Sequence, residues 1–156
     1  MKQIAALTAF LINLDLVAAE QIDAWVENLQ IQSLGSDQNA GNVTLFRQTY
    51  DAVITIERFP HKVHPAELLF GHLAAWLIDH DGDDVRMDGS EATIQPEVDV
   101  LDDSTADLII TIDFVEDVTA LEDVAGPIAL NGKNYRLADA DHWYAETGDV
   151  TTDLQV

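Results

Sequence analysis

The sequence lacks cysteine entirely, among 156 residues. This absence excludes disulfide bonds, thiol nucleophiles, cysteine-ligated zinc and iron–sulfur clusters. No apolar run approaches the roughly 20 residues that a membrane-spanning helix requires. The first residues also lack the pattern of a signal peptide, because Asp15 interrupts their apolar stretch and no cleavage site follows. We therefore expect a protein that is made and assembled in a cytoplasm, without disulfides and without a membrane partner.

Positive charge is scarce as well. Seven Lys and Arg residues stand against 29 Asp and Glu residues, which gives a formal net charge of −22. Such a chain repels nucleic acid and anionic membranes. Three interpretations of the charge stay open: a well-solvated surface or a halophilic host, a surface that DNA must slide past, and imitation of DNA itself. The length and the 47% hydrophobic content favour one globular domain, residues 1–156, with a real core.

Hydrophobic periodicity predicts the secondary structure of the first third of the chain. Residues 3–13 carry apolar side chains at helical spacing, and residues 44–58 alternate as a strand does. Residues 17–29 fit a helix face, although residues 24–32 fit a short strand equally well. The composition of residues 33–43, SLGSDQNAGNV, predicts a loop that is mobile and lies on the surface.

A second helix is predicted over residues 65–81, PAELLFGHLAAWLIDHD. Pro65 suits the first helical position because it has no amide hydrogen to leave unpaired. An acidic turn, residues 81–84, ends the helix, and Gly82 permits that turn. The predicted buried stripe of this helix is formed by Leu68, Leu69, Leu73, Trp76 and Leu77.

The remaining chain has the pattern of strands. Residues 93–101 and 106–116 are predicted strands joined by a short acidic turn, and Asn131–Gly132 within residues 128–136 is a strong hairpin signal. Together the patterns predict an α+β fold. We expect a mostly antiparallel β-sheet covered by two main helices, with a C-terminal β-hairpin.

The densest carboxylate cluster follows the second helix. Oxygen-rich clusters of this kind can bind Ca²⁺ or Mg²⁺, but the spacing of an EF-hand fails, since Gly82 is at the fourth position rather than the sixth and Ser90 is at the twelfth. A solvated helix end without a metal is the favoured interpretation. The weak candidate ligands are Asp79, Asp81, Asp83 and Asp84.

Other residues that could support catalysis form no recognisable arrangement. The five histidines contain no His-Glu-x-x-His motif, and the pairs Asp102–Asp103 and Glu116–Asp117 are expected by chance in so acidic a chain. We therefore predict that the protein is not an enzyme and has no catalytic residue and no cofactor.

The scarce cations are candidate contact points with other subunits or with partner proteins, because a basic group on an acidic molecule favours acidic neighbours. Ordinary surface charge is the alternative. The candidates are Arg47, Arg58, Lys62, Arg86, Lys133 and Arg136.

Five segments, taken in order, resemble the tail completion protein R family of P2-like contractile-tailed phages. They are the opening KQIAALTAFLI, the segment Trp25–Asn28, the strand-like TYDAVITIERF, the Leu-rich stretch from His64 to Asp81 with its Trp-Leu pair, and VDVLDDSTADLIITIDFVE. The resemblance covers residues 1–118, whereas residues 119–156, a hairpin and an acidic tail, do not match the family pattern.

The resemblance implies a virion structural protein in the phage tail. It implies a subunit that caps the head-proximal end of the tail tube, allows head–tail joining, and forms a homo-oligomer, a hexameric ring, beside tube and neck proteins. DNA would then pass an acidic lumen without specific binding. The alternative from another class is an acidic DNA mimic that inhibits a host nucleic-acid-binding enzyme.

Overall fold

The computed structural model describes residues 1–39, 41–80 and 92–138, with backbone only for residues 36–39. No helix in these ranges is both long enough and apolar enough to span a membrane. The elements are helix α1 (Lys2–Asn13), a short 3-10 helix (Ala19–Gln21), strands β1 (Ile22–Asn39) and β2 (Asn42–Phe59), helix α2 (Ala66–Asp79), and strands β3 (Ile94–Val100), β4 (Ala106–Glu122), β5 (Ile128–Leu130) and β6 (Lys133–Leu137).

The strands form one antiparallel sheet, so the predicted α+β class is confirmed. Hydrogen-bonded neighbours follow the order β1-β2-β4-β6-β5, and β3 also pairs with β4. The register of β3 against β4 runs from Ile94 opposite Ile112 to Val100 opposite Ala106. Strand β6 pairs with the last three residues of β4. Strands β1, β3 and β5 therefore each lack a second neighbour among the described strands.

The chain divides into two compact units. The first comprises residues 1–30 and 49–116, and the second comprises residues 31–48 and 117–156. The long strands β1, β2 and β4 each contribute residues to both units.

The core of the first unit follows the period of two that is expected for strands. Alternate residues of β2 and β4 are buried, as the sequence pattern predicted, and side chains from both helices join the same cluster. Leu68 is the exception to the predicted helical stripe, because its side chain is 41% exposed. The buried members of the cluster are Leu7, Leu11, Tyr50, Ala52, Ile54, Ile56, Phe59, Leu69, Leu73, Trp76, Leu108, Ile110, Ile112 and Phe114.

The second unit has a small core of its own, in which Val43, Ala120 and Tyr135 are buried. The predicted hairpin is confirmed: β5 and β6 pair antiparallel, and the turn residues Asn131 and Gly132 have φ angles of 52° and 77°. Both angles are left-handed, as a two-residue type I′ turn requires.

The prediction of a loop over residues 33–43 is wrong. Strand β1 extends to Asn39 and β2 begins at Asn42, so most of that segment is paired strand. Composition suggested a loop because Gly, Ser and Asn are poor strand formers. Pairing along a long hairpin satisfies the backbone regardless of those propensities, and Gly35 supplies a positive φ of 67° within it. The ambiguous residues before this segment are strand from Ile22 onward.

Two boundaries also differ from expectation. Pro65 is the N-cap of α2 rather than its first helical residue, since its ψ of 146° is extended and the helix begins at Ala66. Strand β4 continues past residue 116 to Glu122, where its last residues pair with β6. Helix α2 ends at Asp79, two residues before the predicted end at Asp81, and the predicted acidic turn at residues 81–84 lies outside the described residues.

Candidate functional site

The N-terminus of α1 is held by side chains from the sheet. Its N-cap residue, Met1, makes no side-chain hydrogen bond. Instead, the backbone amides of Lys2 and Gln3 donate to the two carboxylate oxygens of Glu116, at 3.0 and 3.1 Å. The backbone amide of Ile4 donates to the Tyr50 hydroxyl at 3.2 Å. The Tyr50 hydroxyl in turn donates to Glu116. We call Glu116 and Tyr50, with these three amides, the α1 clamp.

The α1 clamp is a buried electrostatic arrangement within the first unit. Glu116 is 3% exposed and Tyr50 is 1% exposed. The carboxylate lies where the helix dipole favours negative charge, and it satisfies amides that have no partner within the helix. Burial raises the pKa of the Tyr50 hydroxyl, and the adjacent Glu116 charge raises that pKa further. Tyr50 therefore stays protonated as a hydrogen-bond donor, which suits a structural role.

Three carboxylates of the pairs noted in the sequence, those of Glu116, Asp117 and Asp102, accept hydrogen bonds from groups within the chain. In the second unit, Asp117 forms a two-pronged ion pair with Arg47, at 2.8 Å to the guanidinium Nε and 3.1 Å to a terminal nitrogen. This pair holds the pKa of Arg47 above its usual value.

Asp102 organises the turn between β3 and β4. Its carboxylate accepts hydrogen bonds from the Ser104 and Thr105 amides and from the Thr105 hydroxyl. These bonds lower the pKa of Asp102. The ring nitrogen Nε2 of His61 lies 3.2 Å from the backbone carbonyl oxygen of Asp102. The predicted hairpin-like connection is thus a turn that its own side chain stabilises.

The structure describes one of the four candidate metal ligands. Asp79 is exposed at the end of α2, while Asp81, Asp83 and Asp84 lie outside the described residues. Within residues 1–39, 41–80 and 92–138, no three His, Asp or Glu side chains are grouped so that they could bind a metal. His80 caps α2, with Nδ1 2.8 Å from the Trp76 carbonyl oxygen.

The structure describes five of the six candidate contact cations, and these five fall into two groups. Three have carboxylate partners in the chain itself: Arg47 with Asp117, Lys133 with Glu122 at 3.7 Å, and Arg136 with Asp123 at 3.6 Å. Arg86 lies outside the described residues. Arg58 and Lys62 are exposed, and neither forms an ion pair with any residue that the structure describes.

Sequence comparison identifies the family to which the chain belongs. The profile of the family described as P2 phage tail completion protein R (GpR) matches residues 1–139. The chain belongs to the GpR family. An uncharacterized 19.2 kDa protein from the rep-hol intergenic region of Haemophilus phage HP1 (strain HP1c1) is 31% identical over 133 residues, which cover 85% of this chain and 78% of that protein. No solved structure matches the chain significantly.

The GpR match extends beyond residue 118 and includes every element that the structure describes, β5 and β6 among them. Membership in the GpR family indicates a structural role in a phage tail, in contact with other tail components. The α1 clamp was not foreseen from the sequence. The signal that could have found it is a helix start without a Ser, Thr, Asp or Asn cap, which predicts a capping group from elsewhere in the chain.

Proposed function

We propose that this GpR protein completes the phage tail by capping the head-proximal end of the tail tube and by allowing the head to join it. The observation that carries the proposal is the family match, which spans residues 1–139 and so the whole described fold. The protein acts through surfaces and not through a reaction. It resides in the virion tail and is assembled there in the host cytoplasm.

The use of polar side chains supports a structural role. Buried or partly buried carboxylates such as Glu116 and Asp117 hold a helix end and an arginine, so their charges stabilise the fold. Asp102 and Asp107 accept backbone hydrogen bonds at one end of the sheet. A site for chemistry needs groups that converge on a substrate, whereas these groups are each bonded within the chain.

In the assembled tail, copies of the protein form a closed homo-oligomeric ring, with six subunits as the expected number. A ring requires heterologous interfaces, in which two different patches of each copy meet. The ring contacts the tail tube on one side and neck or head-completion proteins on the other. Of the candidate cations, Arg58 and Lys62, which are exposed and form no ion pair with a residue that the structure describes, contribute to these contacts. The net charge of −22 lets DNA pass the lumen without specific binding, because like charges repel.

The test is electron microscopy of particles from a phage or prophage that lacks this gene, beside the same phage complemented with the wild-type gene. We expect full heads next to unjoined tails, and tails of irregular length if the protein also stops tube growth. Complementation restores joined, infectious particles. Normal particles without the gene would contradict the proposal.

The same charge supports a second candidate, an acidic DNA mimic that inhibits a host nucleic-acid-binding enzyme. A mimic binds a basic DNA-binding protein tightly and with strong salt dependence, since its charges replace phosphates. A titration of the purified protein against such a protein at two salt concentrations separates the two functions. Tight, salt-sensitive binding would favour the mimic, and binding no stronger than that of an unrelated acidic protein would favour the tail role.

A further inference from the structure

One short segment of the first unit carries two basic residues and no acidic one. Residues 58–64, RFPHKVH, contain Arg58, Lys62 and two histidines but no Asp or Glu. In the described part of the first unit, Lys2 is the one other Lys or Arg residue. The charged residues of this segment are therefore basic, on a strongly acidic molecule.

The backbone of this basic segment is fixed in place. The Arg58 amide donates to the Asp107 carboxylate at 2.9 Å, and the Gln21 side-chain amide donates to the Glu57 carbonyl oxygen at 2.7 Å. Within the segment, the amides of Val63 and His64 both donate to the Pro60 carbonyl oxygen. Side chains on such a backbone are presented to a partner without the entropy cost of ordering a loop.

Exposed apolar side chains accompany the basic groups. Val63 is 72% exposed. The contact between His61 and the Asp102 carbonyl oxygen brings the segment against the β3–β4 turn, where Leu101 is 47% exposed. Apolar side chains beside unpaired cations suit an interface. Burial of the apolar side chains gives affinity, and the cations select a partner of opposite charge.

We propose that residues 58–64 and Leu101 form a contact surface for the acidic surface of a second copy of this chain. The inference rests on the proposed function, in which copies assemble around the tail. Charge complementarity favours a second copy as the occupant. Each copy carries 29 acidic residues, and the acidic surface of one copy attracts the basic segment of the next. The other exposed cations of the described chain, Lys133 and Arg136, already have carboxylate partners in their own copy.

The first experiment places the photo-cross-linking residue p-benzoylphenylalanine at position 63 of the full chain. The protein is irradiated both as purified protein and within complemented, purified virions, and the products are identified by mass spectrometry. We expect a covalent dimer of this chain in virions, joined through an acidic segment of the second copy. A product with another tail protein or with DNA, or no product in either sample, would overturn the inference.

The second experiment compares two lysine-to-glutamate variants in the same cross-linking assay. Lys62→Glu reverses the charge of the unpaired cation, and we expect the yield of cross-linked dimer to fall about tenfold or more. Lys133→Glu is the matched control, since Lys133 is also exposed but is paired with Glu122. Its yield stays within about twofold of the parent protein. Equal yields from the two variants, both melting as the parent does, would overturn the inference.

The two proposals can fail separately. Normal particles from a phage without the gene, together with a dimer that Lys62→Glu abolishes, would remove the tail-completion role and leave the contact surface. Defective particles from that phage, together with a dimer that Lys62→Glu leaves intact, would do the reverse.

Discussion

At the scale of single residues, Glu116 shows how a sheet can cap a helix. A Ser or Asp at the N-cap accepts one or two amides from its own helix. Here one carboxylate from β4 accepts two, and the Tyr50 hydroxyl accepts a third while donating to the same carboxylate. The helix start and the sheet are thereby joined by charge-assisted bonds in a buried setting, where such bonds are strongest.

Replacement Glu116→Gln keeps the shape of the side chain and removes its charge. We expect the free energy of unfolding to fall by about 2 kcal/mol, because the amide turns a donor group toward the helix amides and loses the charge-assisted bonds. Urea unfolding measures the change. Glu97→Gln, the same substitution at an exposed position of β3, should change stability by no more than about 0.5 kcal/mol. Equal losses in the two variants would show that Glu116 has no special role.

Tyr50 predicts a dependence of stability on alkaline pH. Its pKa is raised in the folded protein, first by burial and then by Glu116, so above about pH 10 the unfolded chain releases this proton while the folded chain retains it. The stability that the raised pKa contributes is complete below that pH and is lost as the pH rises further. Tyr50→Phe lacks the titrating group.

We therefore expect Tyr50→Phe to be less stable than the parent protein by about 1–2 kcal/mol at pH 8. This difference in the free energy of unfolding narrows between about pH 10 and pH 11. Urea midpoints of both proteins across this range test the expectation. A gap that is constant or widens with pH would contradict it.

At the scale of elements, the sequence predicted those parts whose pattern is local. The alternation in β2 and β4 identified their buried faces, helical spacing identified α1 and α2, and Asn131–Gly132 identified the hairpin. Each signal arises within a few residues, so no knowledge of partners is needed.

The same reasoning failed where a partner decides the structure. Residues 33–39 are strand because β2 pairs with them, although their Gly, Ser and Asn content predicts a loop. Leu68 is exposed although helical spacing predicts it as a member of the buried stripe of α2. Arg58 and Lys62 are recognisable in the sequence as scarce cations, but the contact of His61 with Asp102, which places the basic segment beside Leu101, arises only in the folded chain.

Two glycines offer a matched test of packing in these elements. A Cβ atom at Gly126 would lie 2.2 Å from the Tyr135 carbonyl oxygen, so Gly126→Ala forces β6 to move. We expect a loss of about 2 kcal/mol or more. At Gly71 in α2, nothing lies within 4 Å of that position. Gly71→Ala should therefore stabilise the protein by about 0.5–1 kcal/mol. Thermal unfolding of both variants tests the pair, and a loss at both positions would contradict the prediction for the helix.

At the scale of the whole molecule, charge opposes compactness. With 29 acidic and 7 basic residues, repulsion among carboxylates outweighs the attraction of a few ion pairs. Two of those pairs, Lys133–Glu122 and Arg136–Asp123, are exposed and contribute at most about 1 kcal/mol each. Salt screens both the repulsion and the attraction. Whether added salt raises or lowers the melting temperature therefore depends on which of the two is larger.

We therefore expect the melting temperature to rise by about 5 °C or more between roughly 10 mM and 0.5 M KCl. Sucrose at matched osmolality is the control, because it leaves charge repulsion unscreened. A melting temperature that falls with KCl would show that attractive pairs dominate the fold.

The α1 clamp also determines when the start of helix α1 can be capped during synthesis. The amide of Lys2 and the carboxylate of Glu116 are separated by 114 positions along the chain. Helix α1 is made before strand β4, which carries its capping carboxylate. Contacts between such distant residues slow folding, because a long loop must close before they form. The N-terminus of helix α1 is thus capped only after Glu116 of β4 has emerged.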